Sequence, residues 1–200
     1  MTLTAMIKQL EDIMRADTGI DGTAQRLSQI VWLLFLKVFD YNEEVNEILE
    51  EDYTPVVPVG YRWRDWANPE SKKDQLTNEK LIAFVNNMLF PVLRGEPITN
   101  DLGEREVLFA SEEPRAQLVK DFMARSHNYA ANGIQLRKVI NVINEVDLED
   151  VEETHEFNNI YETLLKSLQS AGRAGEFYTP SCVVLTLVEV LQPYHGRVYD

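Results

Sequence analysis

The residues best suited to chemistry lie near the carboxyl end, in Gln169-Ser-Ala-Gly-Arg-Ala-Gly-Glu-Phe-Tyr-Thr-Pro180. Gly172 and Gly175 end a preceding helix and let backbone approach a ligand closely. Glu176 offers a carboxylate, Phe177 and Tyr178 two aromatic faces, and Thr179 a hydroxyl. Thr179 followed by Pro180 is a helix start, the cap and then the first position. The open amides of such a start favour an anionic group. The residue types alone allow two readings, a ligand cradle or a well-capped linker helix.

Other chemistry finds little support. His127, His155 and His195 lack metal-ligand spacing, and the single cysteine, Cys182, can build neither a structural zinc site nor an internal disulfide. There is no G-x-x-x-x-G-K-[ST] phosphate loop. No Pro-Pro pair occurs in these 200 residues. The acidic run Asp147 to Glu156 reads as solvated.

The formal net charge of -14 and pI near 4.6 argue against strong duplex-DNA binding by this segment alone. That binding draws mostly on cations meeting phosphates. One local exception is Tyr61-Arg-Trp-Arg-Asp-Trp-Ala67. Interleaved arginines and aromatics can stack on bases and pair with phosphates. Equally, the tryptophans can anchor a loop to the bundle while the arginines offset nearby acids; the second reading is favoured, since the motif is short and contains Asp65.

The elements that must position these groups are helical. Thr2 to Ala16 carries Met6, Leu10, Ile13 and Met14 at helical spacing, and Asp17-Thr-Gly19 ends it. Asp21 is placed to cap a long helix running to Glu50, apolar over nearly its whole circumference through Ile30 to Leu36 and therefore expected at the centre of the bundle. Its last third, Asp40 to Asp52, is acidic and expected in solvent. Pro55, Pro58 and Gly60 then exclude a long helix. Further helices are expected at Asn78 to Leu93, where Pro91 should end or kink the helix, and at Glu112 to Ser126, Gln135 to Val146 and Glu156 to Ser170. Another starts at Thr179 and carries Val184, Leu187, Val188 and Leu191. Arg197 to Asp200 starts like a strand. The apolar run at Ile30 is far shorter than the roughly 20 residues that cross a bilayer, and the amino terminus lacks a signal-peptide layout.

Gly175-Glu-Phe-Tyr-Thr-Pro180 is similar to the loop before the catalytic domain in modification subunits of type I restriction–modification systems. The resemblance extends through Gly22-Thr-Ala-Gln-Arg-Leu27, Leu34-Phe-Leu-Lys-Val-Phe-Asp40, Tyr61 to Trp66, Phe84-Val-Asn-Asn87 and Leu136 to Glu145. It implies a helical amino-terminal domain over residues 1–170. Residues 171–200 would then begin an α/β Rossmann-like, S-adenosylmethionine-dependent methyltransferase domain, with Val198 to Asp200 ending its first strand. It further implies that Glu176, Phe177, Tyr178, Thr179, Pro180 and Ser181 line the methyl-donor site. Ser181 stands where the family leads one to expect Arg or another long polar residue, so its contribution would be its backbone amide.

The expected fold class is mainly α, a helical bundle followed by the start of that α/β domain. The implied activity is methyl transfer to the exocyclic N6 amine of adenine, at a DNA site chosen by a specificity subunit. The implied partners are that subunit, a second modification subunit, the restriction subunit and double-stranded DNA. The setting implied is cytoplasmic, with no membrane. The competing reading is a helical interaction adaptor unrelated to DNA modification.

Overall fold

A computed structural model describes residues 3–68, 76, 78–100, 103–146, 148, 183, 186 and 188–190. Contacts divide the chain into two compact units, Met1–Tyr161 and Glu162–Asp200. In the second unit Val183, Thr186 and residues 188–190 are helical. The expected helix over 156–170 and the strand at 197–200 lie outside the described residues.

The first unit is built from α1 (Leu3–Arg15), α2 (Gly22–Leu49), a short α3 (Trp63–Trp66), α4 (Asn78–Phe84), a π-helical turn (Val85–Leu89), α5 (Phe90–Leu93), α6 (Pro114–Arg125) and α7 (Gly133–Asn144). Periodic apolar residues supply the core: Leu10 and Met14 from α1, Ile30, Trp32 and Leu33 from α2, Leu81 from α4, Met123 from α6, and Leu136 and Ile140 from α7. The Trp32 and Phe90 rings meet edge to face at 5.1 Å. Aromatic edges and faces attract through their quadrupoles.

Two polar joints close the bundle. Asp17, which ends α1, is buried, and its carboxylate accepts from the amides of Gly19 (2.9 Å), Ala131 (3.1 Å) and Asn132 (3.1 Å). Asn132 then caps α7, its side-chain oxygen accepting from Ile134 and Gln135 at 2.9 and 3.3 Å. Gly133 follows because a Cβ there would fall 1.8 Å from the Asn78 carbonyl oxygen. At the other end of α7, Lys37 of α2 donates to the carbonyls of Ile143 (2.9 Å), Asn144 (3.3 Å) and Val146. A cation at a helix carboxyl end satisfies its open carbonyls and the negative end of its dipole.

Several expectations are corrected. Asp21 precedes α2 but its side chain makes no cap bond; instead the Asp21 amide donates to Gln25 Oε1 at 2.6 Å. α2 is central on one side only, since Leu27, Val31, Phe35 and Val38 are half-buried. Its last third is not wholly solvated: Asp40 is 6% exposed and Glu43 3%. Of the two outcomes expected at Pro91, an end or a kink, the helix does not end there. The π turn ahead of it, closed by the Phe90 amide on the Val85 carbonyl, lets helical structure run on to Leu93. The sequence carried no sign of a two-residue antiparallel ladder, β1 (Ile98–Thr99) against β2 (Arg105–Glu106), pairing Ile98 with Glu106 and Thr99 with Arg105.

Candidate functional site

The arginine–tryptophan segment is the first-unit motif whose types could bind nucleic acid. The structure uses it otherwise. Trp63 and Trp66 are buried and meet edge to face at 5.3 Å. Trp63 Nε1 donates to Asn144 Oδ1 at 2.8 Å, and Asn144 Nδ2 donates to the Ala67 carbonyl at 2.8 Å. Tyr61 stacks on Phe84 at 6.0 Å. No tryptophan face is left for a base, so these rings anchor the segment to α4 and α7.

The arginines complete that anchoring. Arg64 lends its backbone amide (2.7 Å) and its Nε (3.0 Å) to Asp40, and its Nη1 sits 2.8 Å from Glu47. Burial pushes the Asp40 carboxyl above its ordinary range, while the Arg64 amide and guanidinium pull it back. Among the described residues Arg62 meets no acid; its Nε donates to the Val57 carbonyl at 3.0 Å. So the expected offsetting of acids holds for Arg64 and is replaced by a backbone contact for Arg62.

A parallel staple lies one turn further along α2. Glu43 accepts from Tyr53 Oη (2.6 Å), the Val56 amide (2.6 Å) and Arg115 Nη1 (2.8 Å). Arg115 also lies over the Tyr53 ring, 4.5 Å from its centroid. Burial, and then the bond to Glu43, pushes the Tyr53 phenol upward. Asp40, Glu43 and Glu47 recur at helical spacing, and that periodicity was the one sequence signal that could have revealed a functional acidic face.

Arg137 is different. It is 8% exposed, and among the described residues its guanidinium donates to the carbonyls of Ala67 (3.3 Å), Trp66 (3.4 Å) and Leu76 (2.8 Å). Burial lowers its pKa. Fully buried Gln29 forms another crosslink, donating to Asn128 Oδ1 and accepting from the Tyr129 amide, both at 2.9 Å. None of these polar groups was singled out from sequence. Among the described residues no cluster of His, Cys, Asp and Glu could hold a metal, and no helix is long and apolar enough to cross a membrane. Glu176, Phe177, Tyr178, Thr179, Pro180 and Ser181 lie outside the described residues.

In sequence and in fold the helical unit is similar to modification subunits of type I restriction enzymes. The HsdM N-terminal domain family matches residues 3–143, and the N-6 DNA methylase family matches residues 152–200. The chain belongs to the HsdM N-terminal domain family. It is 43% identical over 197 residues to the EcoEI methylase subunit of a type I restriction enzyme from Escherichia coli, covering 98% of this chain and 38% of that protein. A type I modification subunit from Vibrio vulnificus YJ016 superposes with a TM-score of 0.74 at 35% identity, over 96% of this chain and 40% of that one. A chain solved in a study of complex assembly and conformational transition of the type I R-M system gives 0.71 at 30% identity, over 96% and 35%. The chain thus spans about two fifths of the length of the relatives it matches.

Proposed function

We propose that this chain is the amino-terminal part of an adenine-specific DNA methyltransferase subunit of a type I restriction–modification system. The carrying observation is the tandem match, a helical HsdM domain over 3–143 followed directly by N-6 methylase sequence over 152–200. In this reading residues 1–170 form the helical domain and residues 171–200 begin the methyltransferase domain. The helical domain contacts a specificity subunit, a second modification subunit and double-stranded DNA, within a cytoplasmic complex that also holds the restriction subunit. The methyl donor is S-adenosylmethionine, which supplies the transferred methyl group. The chain's own contribution to that pocket is the stretch from Glu176 to Ser181, with aromatic faces at Phe177 and Tyr178 and open amides after Thr179. Its 200 residues hold no Asn/Asp-Pro-Pro-aromatic motif, so the base-holding chemistry comes from other sequence in the complete subunit.

Calorimetric titration of S-adenosylmethionine into the complete subunit tests this. Removing a stacking ring costs about 1 kcal/mol or somewhat more. Phe177→Ala or Tyr178→Ala should therefore weaken donor binding by a factor of several to tens. If both variants stay folded and bind the donor as tightly as the parent, the stretch is a linker.

A further inference from the structure

α2 runs on past the end of α7. Because Lys37 holds the last carbonyls of α7, α7 ends level with that residue. From there α2 runs on through residues 38–49, about 18 Å at 1.5 Å per residue. Leu34, Val38, Tyr41, Val45 and Ile48 recur in alternating steps of four and three, the spacing of a coiled-coil seam. Burial fades along that seam. Leu34 is buried, Val38, Tyr41 and Val45 are half-buried, Ile48 is 79% exposed, and Leu49 beside it is 74% exposed.

The surroundings state what kind of strand the seam fits. Glu44 flanks it on the helix, and Glu50, Glu51 and Asp52 follow at the exposed end. The last turn of α2 contains no basic residue, although the negative end of a helix dipole favours cations there. Among the described residues Glu50, Glu51 and Asp52 take part in no ion pair. A second copy would set these carboxylates against their own kind, and nucleic acid would be repelled.

We infer that the overhanging end of α2 is one strand of a two-stranded coiled coil. The other strand is a helix of a different subunit, apolar along its seam and rich in Lys or Arg at the flanking positions. This rests on the reading that the chain works within a multi-subunit assembly. Leu and Ile side chains would enter the seam, while the partner's cations would neutralise the acidic end and the helix dipole together.

The test uses a synthetic three-heptad helix with Leu at the seam positions and Lys at the flanks, read by fluorescence anisotropy against the chain. The lysine peptide should bind, and its twin with Glu at the flanks should not. The paired substitution Ile48→Ser with Leu49→Ser should weaken binding by about tenfold or more, the scale of one lost anchor. Glu44→Lys with Glu51→Lys should reverse the preference between the two peptides, a readout that simple loss of fold would not produce. Equal binding of both peptides, or binding indifferent to residues 48 and 49, overturns the inference. So does sedimentation showing a dimer of the chain that Ile48→Ser with Leu49→Ser abolishes, since the occupant is then a second copy. Donor titration into the complete subunit reads the proposed function separately from this seam.

Discussion

The two ends of α2 are held by different physics. Its first two-thirds is fixed by apolar packing, with Ile30, Trp32 and Leu33 fully enclosed. Its last third is fixed by charge, through Asp40 to Arg64 and Glu43 to Tyr53, Val56 and Arg115, before the helix emerges into solvent. Packing asks little of geometry beyond volume and admits a polar group only with its partners, as Gln29 enters with Asn128 and Tyr129. Charged staples cost desolvation and return it only when every partner is present. The contrast explains why a strongly acidic stretch is ordered against the bundle: its buried carboxylates bind the Pro-rich segment that follows it.

The comparison breaks most severely at the packed end. Trp32→Ala should cost about 3–5 kcal/mol, the usual range for emptying a large aromatic site, read as a lower urea midpoint with an unchanged slope. An unchanged midpoint would mean Trp32 is not a core residue. At the charged end Glu43→Ala should cost about 3 kcal/mol, because it removes the acceptor of the Tyr53 hydroxyl and the Val56 amide, while Arg115 keeps Glu113 and the Tyr53 oxygen. Arg115 is 38% exposed on its side chain, so most of that loss should come from the two less solvated donors. Arg115→Ala should accordingly cost less than Glu43→Ala; the reverse order would show that the ion pair, not the buried hydrogen bonds, holds the segment.

The smallest effect sharpens the comparison through pH. Burial raises the Asp40 carboxyl above its ordinary 3.8, so the folded chain takes up that proton more readily than the unfolded chain. Stability from this group therefore rises as pH falls through the raised value and levels off below 3.8. Wild type should gain stability relative to Asp40→Asn as pH drops from neutral toward that window. Parallel pH profiles of the two proteins would remove the burial effect assigned to Asp40.

The helices were legible in the sequence because apolar periodicity records which face is covered. α1, α2, α6 and α7 fall within a few residues of expectation. The anchoring role of Trp63 and Trp66 was legible too, since two large indoles in a short segment have more to gain from burial than from exposure. The buried polar crosslinks were not legible. Asp17, Gln29, Glu43 and Arg137 are the residue types that usually face water, and partners elsewhere in the chain, from Tyr53 for Glu43 to Asn128 for Gln29, make their burial favourable. The π turn was hidden for a related reason. Pro91 announces a missing amide, but sequence does not say whether the helix stops or shifts register around it. The stretch from Glu176 to Ser181 is proposed as a donor site through family resemblance alone, because its residue types fit a helix cap equally well.

The Asp17 joint also sets an order of events during synthesis. Its amide partners at Ala131 and Asn132 lie 114 and 115 residues downstream. At typical elongation rates of about 5–20 residues per second, roughly 6–23 s pass before those partners are made. α1 therefore waits for α7 before it has its native place. Such distant pairings slow folding, because a long loop must close before any contact rewards it. Until then the apolar face of α1, with Leu10 and Met14 destined for full burial, is open to a chaperone or to a neighbouring nascent chain.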